Sequence, residues 1–220
     1  MKLNLSNITL WSCVFTEDMR LHMDTVDVMQ YCMRHAQFAE AVLFTPIQRE
    51  VEGIRRVNIR PMDLTDFNVY VNTSFPGHLH SAFAMSVHHD GFPIRWDLWQ
   101  SRFLDYDYIG APWPDGVVGN GGFCIESRKM MDAKRRLPHP SREVDWIEND
   151  RVVSHSIPAD VYLCRTHRKQ LEADGVTWAP FGVALEFSTE QVGNDKESFG
   201  FHGRTASPEK FRRGWELVGK

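Results

Sequence analysis

A turn in the middle of this 220-residue sequence, His88-His89-Asp90-Gly91, places a carboxylate beside two imidazoles. A bound magnesium or manganese ion needs only one or two protein carboxylates when nucleotide phosphates and water supply its other oxygen ligands. The turn is therefore a candidate site for a divalent metal and a phosphate group. A solvated Asp-Gly turn with no chemical role is the competing interpretation.

The pair Asp105 and Asp107 is a second candidate, because alternate residues of a strand project from the same face. Two carboxylates on one face could hold a metal ion. The pair is interleaved with Tyr106 and Tyr108, however, and it directly precedes a loop rich in glycine and proline. This setting favours a structural or substrate-positioning role for the two carboxylates.

The loop that follows is a candidate wall for a sugar or nucleotide pocket. Gly119, Gly121 and Gly122 surround Asn120, and glycine permits positive φ and close approach of the backbone to a ligand. Trp113 precedes them and offers a flat face with a polar edge. A simple connection between a strand and a helix is the competing interpretation.

Three residues later in the chain could complete a site. His202 lies between glycines and aromatic residues and could bind a metal or a phosphate, or it could be a buried histidine with an ordinary hydrogen bond. Asp160 begins a helical pattern, so it is either a helix cap or, if it faces the pocket, a general base. Asp150 is the rival candidate for the base.

The order of the apolar segments predicts how these residues meet. A strand, a helix and two further strands open the chain, which is the pattern of an α/β protein with parallel strands. A fourth strand ends at the turn that holds Asp90, and ligands of open α/β sheets bind beyond the carboxyl ends of the strands. The predicted strands cover residues 8–15, 41–45, 56–60, 82–87 and 176–179. The predicted helices cover residues 19–39, 67–79, 97–104, 160–172 and 208–215, and a further helix begins within residues 125–131.

Composition narrows the class of protein. The length favours one domain, and the formal net charge of −4 with dispersed basic residues argues against non-specific binding to nucleic acid or anionic membranes. None of the four cysteines forms a Cys-x-x-Cys pair, which argues against a zinc knuckle. Cys13, Cys124 and Cys164 lie in apolar runs and are expected to pack as small hydrophobic side chains, so a reducing cytoplasm is the expected location. No apolar run approaches the length of a membrane span. The glycine-rich nucleotide loops and the serine-nucleophile motif of other enzyme classes are absent from the sequence.

Four longer motifs occur in order: residues 103–113 (FLDYDYIGAPW), 118–123 (VGNGGF), 160–165 (DVYLCR) and 199–203 (FGFHG). Together with Asp90-Gly91 they resemble a glycosyltransferase-like family of GT-A type, first catalogued as a domain of unknown function. The resemblance implies a single GT-A-like α/β/α domain with a mixed, mostly parallel central sheet. Within that domain, residues 1–115 would form the nucleotide-sugar half, residues 116–205 the acceptor half, and residues 206–220 a C-terminal helix.

The resemblance also assigns roles to individual residues. Asp90 and Gly91 occupy the place of the family's acidic metal-binding motif. His202 resembles the late histidine that completes such a site, with Mn²⁺ or Mg²⁺ as the ion. Asp160 matches an acidic position beside the acceptor, although Ala159 stands where the family often has glutamate.

The residues expected to contact the substrates follow from the same resemblance. The segment around Asn120 resembles the Asn-Gly-Gly-Phe loop that lies beside the sugar donor in galactosyltransferase-type enzymes. The expected substrate-binding residues are Tyr108, Trp113, Asn120, Gly121, Gly122 and Arg128, and the expected donor-binding residues are Thr9, Asp90 and Gly91.

The resemblance thus predicts an enzyme that moves a sugar from a nucleotide-diphosphate sugar, with a UDP-sugar favoured, to an acceptor hydroxyl. The acceptor is a glycan or, in a viral setting, a hydroxymethylated DNA base. The acidic net charge argues against DNA, but a basic face could still bind it. That face would comprise Arg128, Lys129, Lys134, Arg135, Arg136, Arg165, Arg168 and Lys169. The alternative is a non-catalytic module that binds a nucleotide or a glycan on the same fold.

Overall fold

The computed structural model describes residues 2–138 and 157–220, and between them the backbone of two short strands. Its centre is a six-stranded sheet in the order β3-β2-β1-β4-β7-β6. The first four strands of that order run parallel, and β7 is antiparallel to both of its neighbours. The strands are β1 (Leu3–Cys13), β2 (Ala36–Thr45), β3 (Arg55–Asn58), β4 (Phe83–Ser86), β6 (Tyr108–Gly110) and β7 (Cys124–Ser127). The expected α/β class with a mixed, mostly parallel central sheet is therefore confirmed.

Two smaller sheets accompany the central one. The first joins β10 (Ser188–Thr189), β11 (Gly200–His202) and β5 (Gly91–Pro93) in that order. The second is the antiparallel pair β8 (Val144–Glu148) and β9 (Arg151–His155). In the first sheet β11 runs antiparallel to β5, with His202 opposite Gly91, so the end of the chain returns to the segment that follows β4.

Helices cover the faces of the central sheet. They are α1 (Met19–His35), α2 (Leu64–Thr73), α3 (Arg128–Lys134), α4 (Ala159–Val161), α5 (Arg168–Ala173), α6 (Phe181–Phe187) and α7 (Pro208–Val218). Helix α1 begins where the sequence predicts, because the Asp18 carboxylate accepts hydrogen bonds from two backbone N–H groups of its first turn. In the described part of the chain, no helix has the length and apolar character needed to cross a bilayer.

The predicted first helix extends too far along the chain. The observed helix α1 ends at His35, and residues 36–40 form the first part of β2. Because Ala36 pairs with Leu3 and Glu40 pairs with Thr9, these residues gain a ladder with β1. A pairing between segments this far apart in sequence overrides the local helical pattern.

The segment predicted to begin a helix within residues 125–131 starts as a strand. Residues 124–127 form β7, which lies between β4 and β6 in the central sheet. The helix begins only at Arg128, where the Ser127 hydroxyl accepts a hydrogen bond from the Met130 N–H. All four residues of this strand are buried and it is paired on both edges, but a segment this short does not distinguish a strand from a helix in the sequence.

Three other predicted elements differ in kind. Residues 97–104 fall in two short 3-10 helices, Trp96–Leu98 and Ser101–Asp105. The predicted helix over residues 160–172 is α4 and α5 separated by a π-helical turn, Tyr162–Thr166. The predicted strand at residues 176–179 is reduced to one bridge between Tyr108 and Trp178. The division of the domain into donor and acceptor halves stays a prediction.

Candidate active site

Three side chains with metal-binding atoms meet beyond the carboxyl end of β4. The ligand atoms of His88, Asp90 and His202 all lie within 4.8 Å of one another. His202 Nε2 is 3.9 Å from Asp90 Oδ1, and the ring centroids of the two histidines are 6.1 Å apart. The structure thus brings together the two residues predicted as metal ligands, and it adds His88, which the sequence placed only in the candidate turn.

The backbone holds this cluster in a tight turn. The N–H of His88 donates to the Gly91 carbonyl at 2.8 Å, and the N–H of Gly91 donates to the His88 carbonyl at 3.1 Å. From the other side, the N–H of Gly203 donates to the Asp90 carbonyl at 2.8 Å. The carboxylate of Asp90 is therefore carried by a loop that is fixed at both ends.

Two glycines are required because the imidazole of His202 packs directly on them. A Cβ on Gly91 would lie 2.5 Å from Cδ2 of His202, and a Cβ on Gly122 would lie 1.9 Å from its Nε2. The sequence predicted that this glycine cluster permits close approach of a ligand to the backbone. In the structure, the group that approaches Gly91 and Gly122 is the ring of a candidate metal ligand.

Asn120 fixes the conformation of the glycine loop beside the same ring. Its φ is 66°, a left-handed conformation that asparagine tolerates better than most residues. Its Oδ1 accepts a hydrogen bond from the Gly122 N–H at 3.1 Å, and its Nδ2 lies 3.0 Å from His202 Nδ1. Tyr108 is fully buried beneath the loop and donates its hydroxyl to the Asn120 carbonyl at 3.1 Å.

The carboxylate of Asp160 reaches the glycine loop from α4. Its Oδ2 accepts a hydrogen bond from the Gly121 N–H at 3.2 Å, and its Oδ1 accepts one from the Val161 N–H at 2.8 Å. Gly121 adjoins the residue against which His202 packs, so the candidate base and the metal cluster border the same loop. Asp150, the rival candidate, lies outside the described residues.

Glu190 supports His202, and sequence reasoning missed it. Its Oε1 lies 3.1 Å from Nδ1 of His202, and its Oε2 is buried without a hydrogen-bond partner among the described residues. The residue follows β10, which pairs with the strand that carries His202. Nothing in its local sequence marks it as functional, because its partner is brought to it by strand pairing.

The electrostatics of the cluster differ between its two imidazoles. Burial, followed by the charge of His202, lowers the pKa of His88 to about 4. For His202, burial alone would lower the pKa. The hydrogen bond with Glu190 and the negative charges of Asp90, Glu190 and Asp160 have a larger combined effect, and the pKa of His202 is therefore raised overall. The pKa of Asp90 is lowered, because the three neighbouring histidines and the Arg204 N–H outweigh the effect of burial.

These properties fit a bound divalent metal. A neutral His88 offers a lone pair, Asp90 offers a charged oxygen, and Glu190 can accept the proton on Nδ1 of His202. A carboxylate that holds the second nitrogen of a metal-binding histidine fixes the orientation and tautomer of its ring. Two imidazoles and one carboxylate suit a transition ion such as Mn²⁺ better than Mg²⁺, which prefers oxygen ligands.

Two of the predicted contact residues lie away from the cluster. Thr9 is fully buried in β1, opposite Ala84 near the amino end of β4, and its hydroxyl lies 2.6 Å from that of Ser81. It therefore has no surface with which to contact a donor. Arg128 donates hydrogen bonds to the carbonyls of Leu79 and Ser81 at the same end of the sheet. The structure brings neither residue to the carboxyl end of β4.

Trp113, which the sequence predicts in the wall of the pocket, is covered. The residue is 8% exposed and its ring packs against Gly119, where a Cβ would lie 2.1 Å from the ring. The guanidinium of Arg165 lies 4.5 Å from the ring centroid and is paired with Asp115. A sugar could stack on this ring only after Arg165 moves.

Asp107 has a structural role, as its setting in the sequence indicates. Its Oδ1 accepts a hydrogen bond from the Ser127 hydroxyl at 2.6 Å. Its Oδ2 accepts bonds from the N–H and the hydroxyl of Thr177 at 2.9 and 3.1 Å. Both carboxylate oxygens are thus used to join the segment before β6 to two other parts of the fold, while Asp105 is exposed.

The fold is shared with known glycosyltransferases. One solved structure, of a glycosyltransferase involved in the glycosylation of the major capsid of PBCV-1, has a TM-score of 0.50 and 11% sequence identity over 96% of this chain and 98% of that one. A second, of the apo-form glycosyltransferase GlyE of Streptococcus pneumoniae TIGR4, has a TM-score of 0.50 and 9% identity, covering 100% of this chain. This chain spans 61% of the length of that protein. At such identities the likeness shows a common fold.

The fold and the group of His88, Asp90 and His202 thus define an α/β protein with a candidate metal site at the carboxyl edge of its sheet. The chain belongs to the family described as "Protein of unknown function (DUF5672)", which matches residues 70–202. That range includes the turn at Asp90, the glycine loop, Asp160 and His202. No curated protein matches the chain in sequence.

Proposed function

We propose that this protein is a metal-dependent glycosyltransferase, which moves a sugar from a nucleotide-diphosphate sugar to an acceptor hydroxyl. The observation that carries the proposal is the cluster of His88, Asp90 and His202. It borders the glycine loop and Asp160, on a fold that known glycosyltransferases share. Ligands of open α/β sheets bind at this edge.

The metal residues would act on the leaving group. A divalent ion held by His88, Asp90 and His202 would supply Lewis-acid neutralisation of the diphosphate as its bond to the sugar breaks. Glu190 would keep the ring of His202 in the orientation that presents Nε2. The glycine loop would place its backbone next to the sugar, with Asn120 fixing the conformation of that loop.

Asp160 is the proposed general base. Its carboxylate would accept the proton of the acceptor hydroxyl while the hydroxyl oxygen forms a bond to the anomeric carbon. The pair of electrons in the old glycosidic bond leaves with the nucleoside diphosphate, so charge and atoms balance. A mechanism with one base and in-line attack inverts the anomeric centre. The hydrogen bond from the Gly121 N–H orients Asp160 toward the loop. Asp150 stays an alternative base.

A glycan or another small hydroxyl compound is the proposed acceptor, in preference to DNA. Several members of the predicted basic face are already paired in the structure. Lys134 is 3% exposed and lies 2.5 Å from Glu126, and Arg165 is paired with Asp115. Arg128 is bound to backbone carbonyls. These groups are not free to neutralise phosphates, so a modified DNA base is the less favoured acceptor.

The test is a panel of UDP- and GDP-sugars incubated with the protein and Mn²⁺, with release of free nucleoside diphosphate as the measurement. We expect release with at least one donor and its loss on chelation of the metal. Asp160→Asn should reduce release by about 10²- to 10⁴-fold while leaving nucleotide binding intact. If the protein binds a nucleotide tightly but neither releases nucleoside diphosphate nor transfers a sugar from any donor to any acceptor offered, it is a non-catalytic binding module instead.

A further inference from the structure

A cavity of about 450 Å³ opens beside the metal cluster, between the start of α1 and helix α7. Its volume falls in the range of sites for small organic ligands. Six of its lining residues matter to its chemistry: Asp18, Arg20, His89, Arg204, Phe211 and Trp215. The first two follow β1 and His89 follows β4, so the cavity lies at the carboxyl edge of the sheet.

The cavity and the metal cluster are joined by two pairs of adjacent residues. His89 lies in its wall next to Asp90, and Arg204 lies in its wall two residues after His202. The backbone N–H of Arg204 also contributes to the lowered pKa of the Asp90 carboxyl. A ligand in the cavity would therefore have one end at the candidate metal ligands.

Arg204 gives that end of the cavity an available cation. Its guanidinium is exposed and lies 5.4 Å from the ring centroid of Phe211. Arginine binds phosphate oxygens with two parallel hydrogen bonds, so an exposed guanidinium beside a metal site suits a diphosphate. The side chain of Arg20, also exposed, adds a second positive group to the lining.

The aromatic wall of the cavity comes from α7. Phe211 and Trp215 line the cavity with ring centroids 6.2 Å apart. Helix α7 is tied to α1 through Lys220, whose ammonium pairs with Asp24 and Asp27 at 2.9 and 2.5 Å. The aromatic wall is thus held against α1 by ion pairs at the end of the chain. Flat aromatic faces bind nucleobases by stacking, whatever the base. Because Nζ of Lys220 lies 5.3 Å from the centroid of the Trp215 ring, a base that stacks on that face would displace this ammonium.

We propose that this cavity binds the nucleoside diphosphate of the donor, with the diphosphate at Arg204 and the base against the aromatic wall of α7. The inference rests on the proposed function and names the part of the chain that recognises its donor. Helix α7 is then a component of the donor site. The exposed guanidinium, the aromatic rings and the adjacent candidate metal ligands match the three parts of a metal-bound nucleotide.

The experiment measures binding of UDP, GDP and inorganic pyrophosphate in the presence of Mn²⁺ by calorimetry, for the wild type and two variants. Arg204→Ala should weaken both nucleotides and pyrophosphate by about 10- to 100-fold, because it removes hydrogen bonds to charged groups. Trp215→Leu should weaken the nucleotides but leave pyrophosphate unchanged, and Trp215→Phe should restore nucleotide binding. The matched control is Arg212→Ala, an exposed arginine of the same helix outside the cavity lining, which should bind like the wild type.

The outcomes separate this inference from the proposed function. If the wild type binds a nucleotide and both cavity variants bind it equally well, the nucleotide lies elsewhere and only the cavity assignment fails. If the wild type binds neither nucleotides nor pyrophosphate with Mn²⁺, the proposed function itself fails. Thermal unfolding of each variant identifies any loss that comes from misfolding, and Trp215→Phe then tests the aromatic wall in a folded protein.

Discussion

Nδ1 of His202 lies 3.1 Å from Oε1 of Glu190, while Nε2 of the same ring lies 3.9 Å from Oδ1 of Asp90. The ring therefore has one nitrogen held by a carboxylate and the other directed to the metal cluster. A carboxylate beside Nδ1 makes Nε2 a better metal ligand and fixes the direction of its lone pair. Glu190 thus connects the small sheet formed by β10, β11 and β5 to the proposed chemistry.

Replacing Glu190 should weaken metal binding without unfolding the protein. We expect Glu190→Gln to reduce Mn²⁺ affinity by about 10- to 100-fold, because a neutral amide is a weaker acceptor for the Nδ1 proton than a carboxylate and leaves Nε2 a poorer metal ligand. Titration of the protein with Mn²⁺, followed by electron paramagnetic resonance, measures this directly. Glu209→Gln, at an exposed position of α7, is the matched control. Equal Mn²⁺ affinity for Glu190→Gln and wild type would remove Glu190 from the site.

A methyl group at Gly122 should displace the ring of His202. The added Cβ would lie 1.9 Å from Nε2, so either the ring or the loop must move. We expect Gly122→Ala to abolish measurable Mn²⁺ binding and donor turnover. Gly182→Ala is the control, because no atom lies within 4 Å of the Cβ that it would add. Normal Mn²⁺ binding by Gly122→Ala would show that the ring does not need its position against this glycine.

The donor set should discriminate between metal ions. Two imidazoles and one carboxylate favour Mn²⁺ over Mg²⁺, because Mg²⁺ prefers oxygen ligands and loses its water reluctantly. We expect half-maximal nucleotide binding at a Mn²⁺ concentration at least about tenfold below that needed for Mg²⁺, which is about 1.4 kcal/mol. The variant His88→Asp should bring the Mn²⁺ and Mg²⁺ concentrations needed for half-maximal nucleotide binding closer together, because it replaces an imidazole with an oxygen ligand. A preference for Mg²⁺ in the wild type would contradict the assignment of both histidines.

Asp107 should contribute to stability and not to metal binding. Burial raises the pKa of Asp107, but its bonds with Ser127 and Thr177 and the charge of Lys129 outweigh this and lower it overall. A carboxyl whose pKa is lower in the folded state stabilises the protein above its unfolded pKa of about 4, and this stability is lost as pH falls through the folded value.

We therefore expect Asp107→Asn to lower the free energy of unfolding by about 1–3 kcal/mol at pH 7. The difference from wild type should shrink below about pH 4. Urea unfolding across this pH range is the measurement. Asp105→Asn, at an exposed position two residues away, should be nearly neutral. Reduced Mn²⁺ binding in a folded Asp107→Asn protein would revive the interpretation of this pair as a metal site.

Much of the framework could be predicted from the sequence because it depends on short-range patterns. Local signals mark the apolar run of β1, the start of α1 and the strand that ends at Ser86, although the residue that caps α1 is Asp18 and not Thr16, which the sequence favours. The same signals put Asp90 at the carboxyl edge of the sheet. They fail where strand pairing overrides them, as at residues 36–40 and 124–127, since a local window contains no information about a distant partner.

The sequence by itself determined the class of fold and the candidate residues Asp90, Asp160 and His202, because turns, glycines and motif order are visible along the chain. Only the tertiary structure placed His202 between Gly91 and Gly122, added His88 and Glu190, and showed that Thr9 and Arg128 lie elsewhere. The reason is physical. The antiparallel pairing of β5 with β11 joins residues more than 100 positions apart, and side-chain packing across that pairing decides which atoms meet.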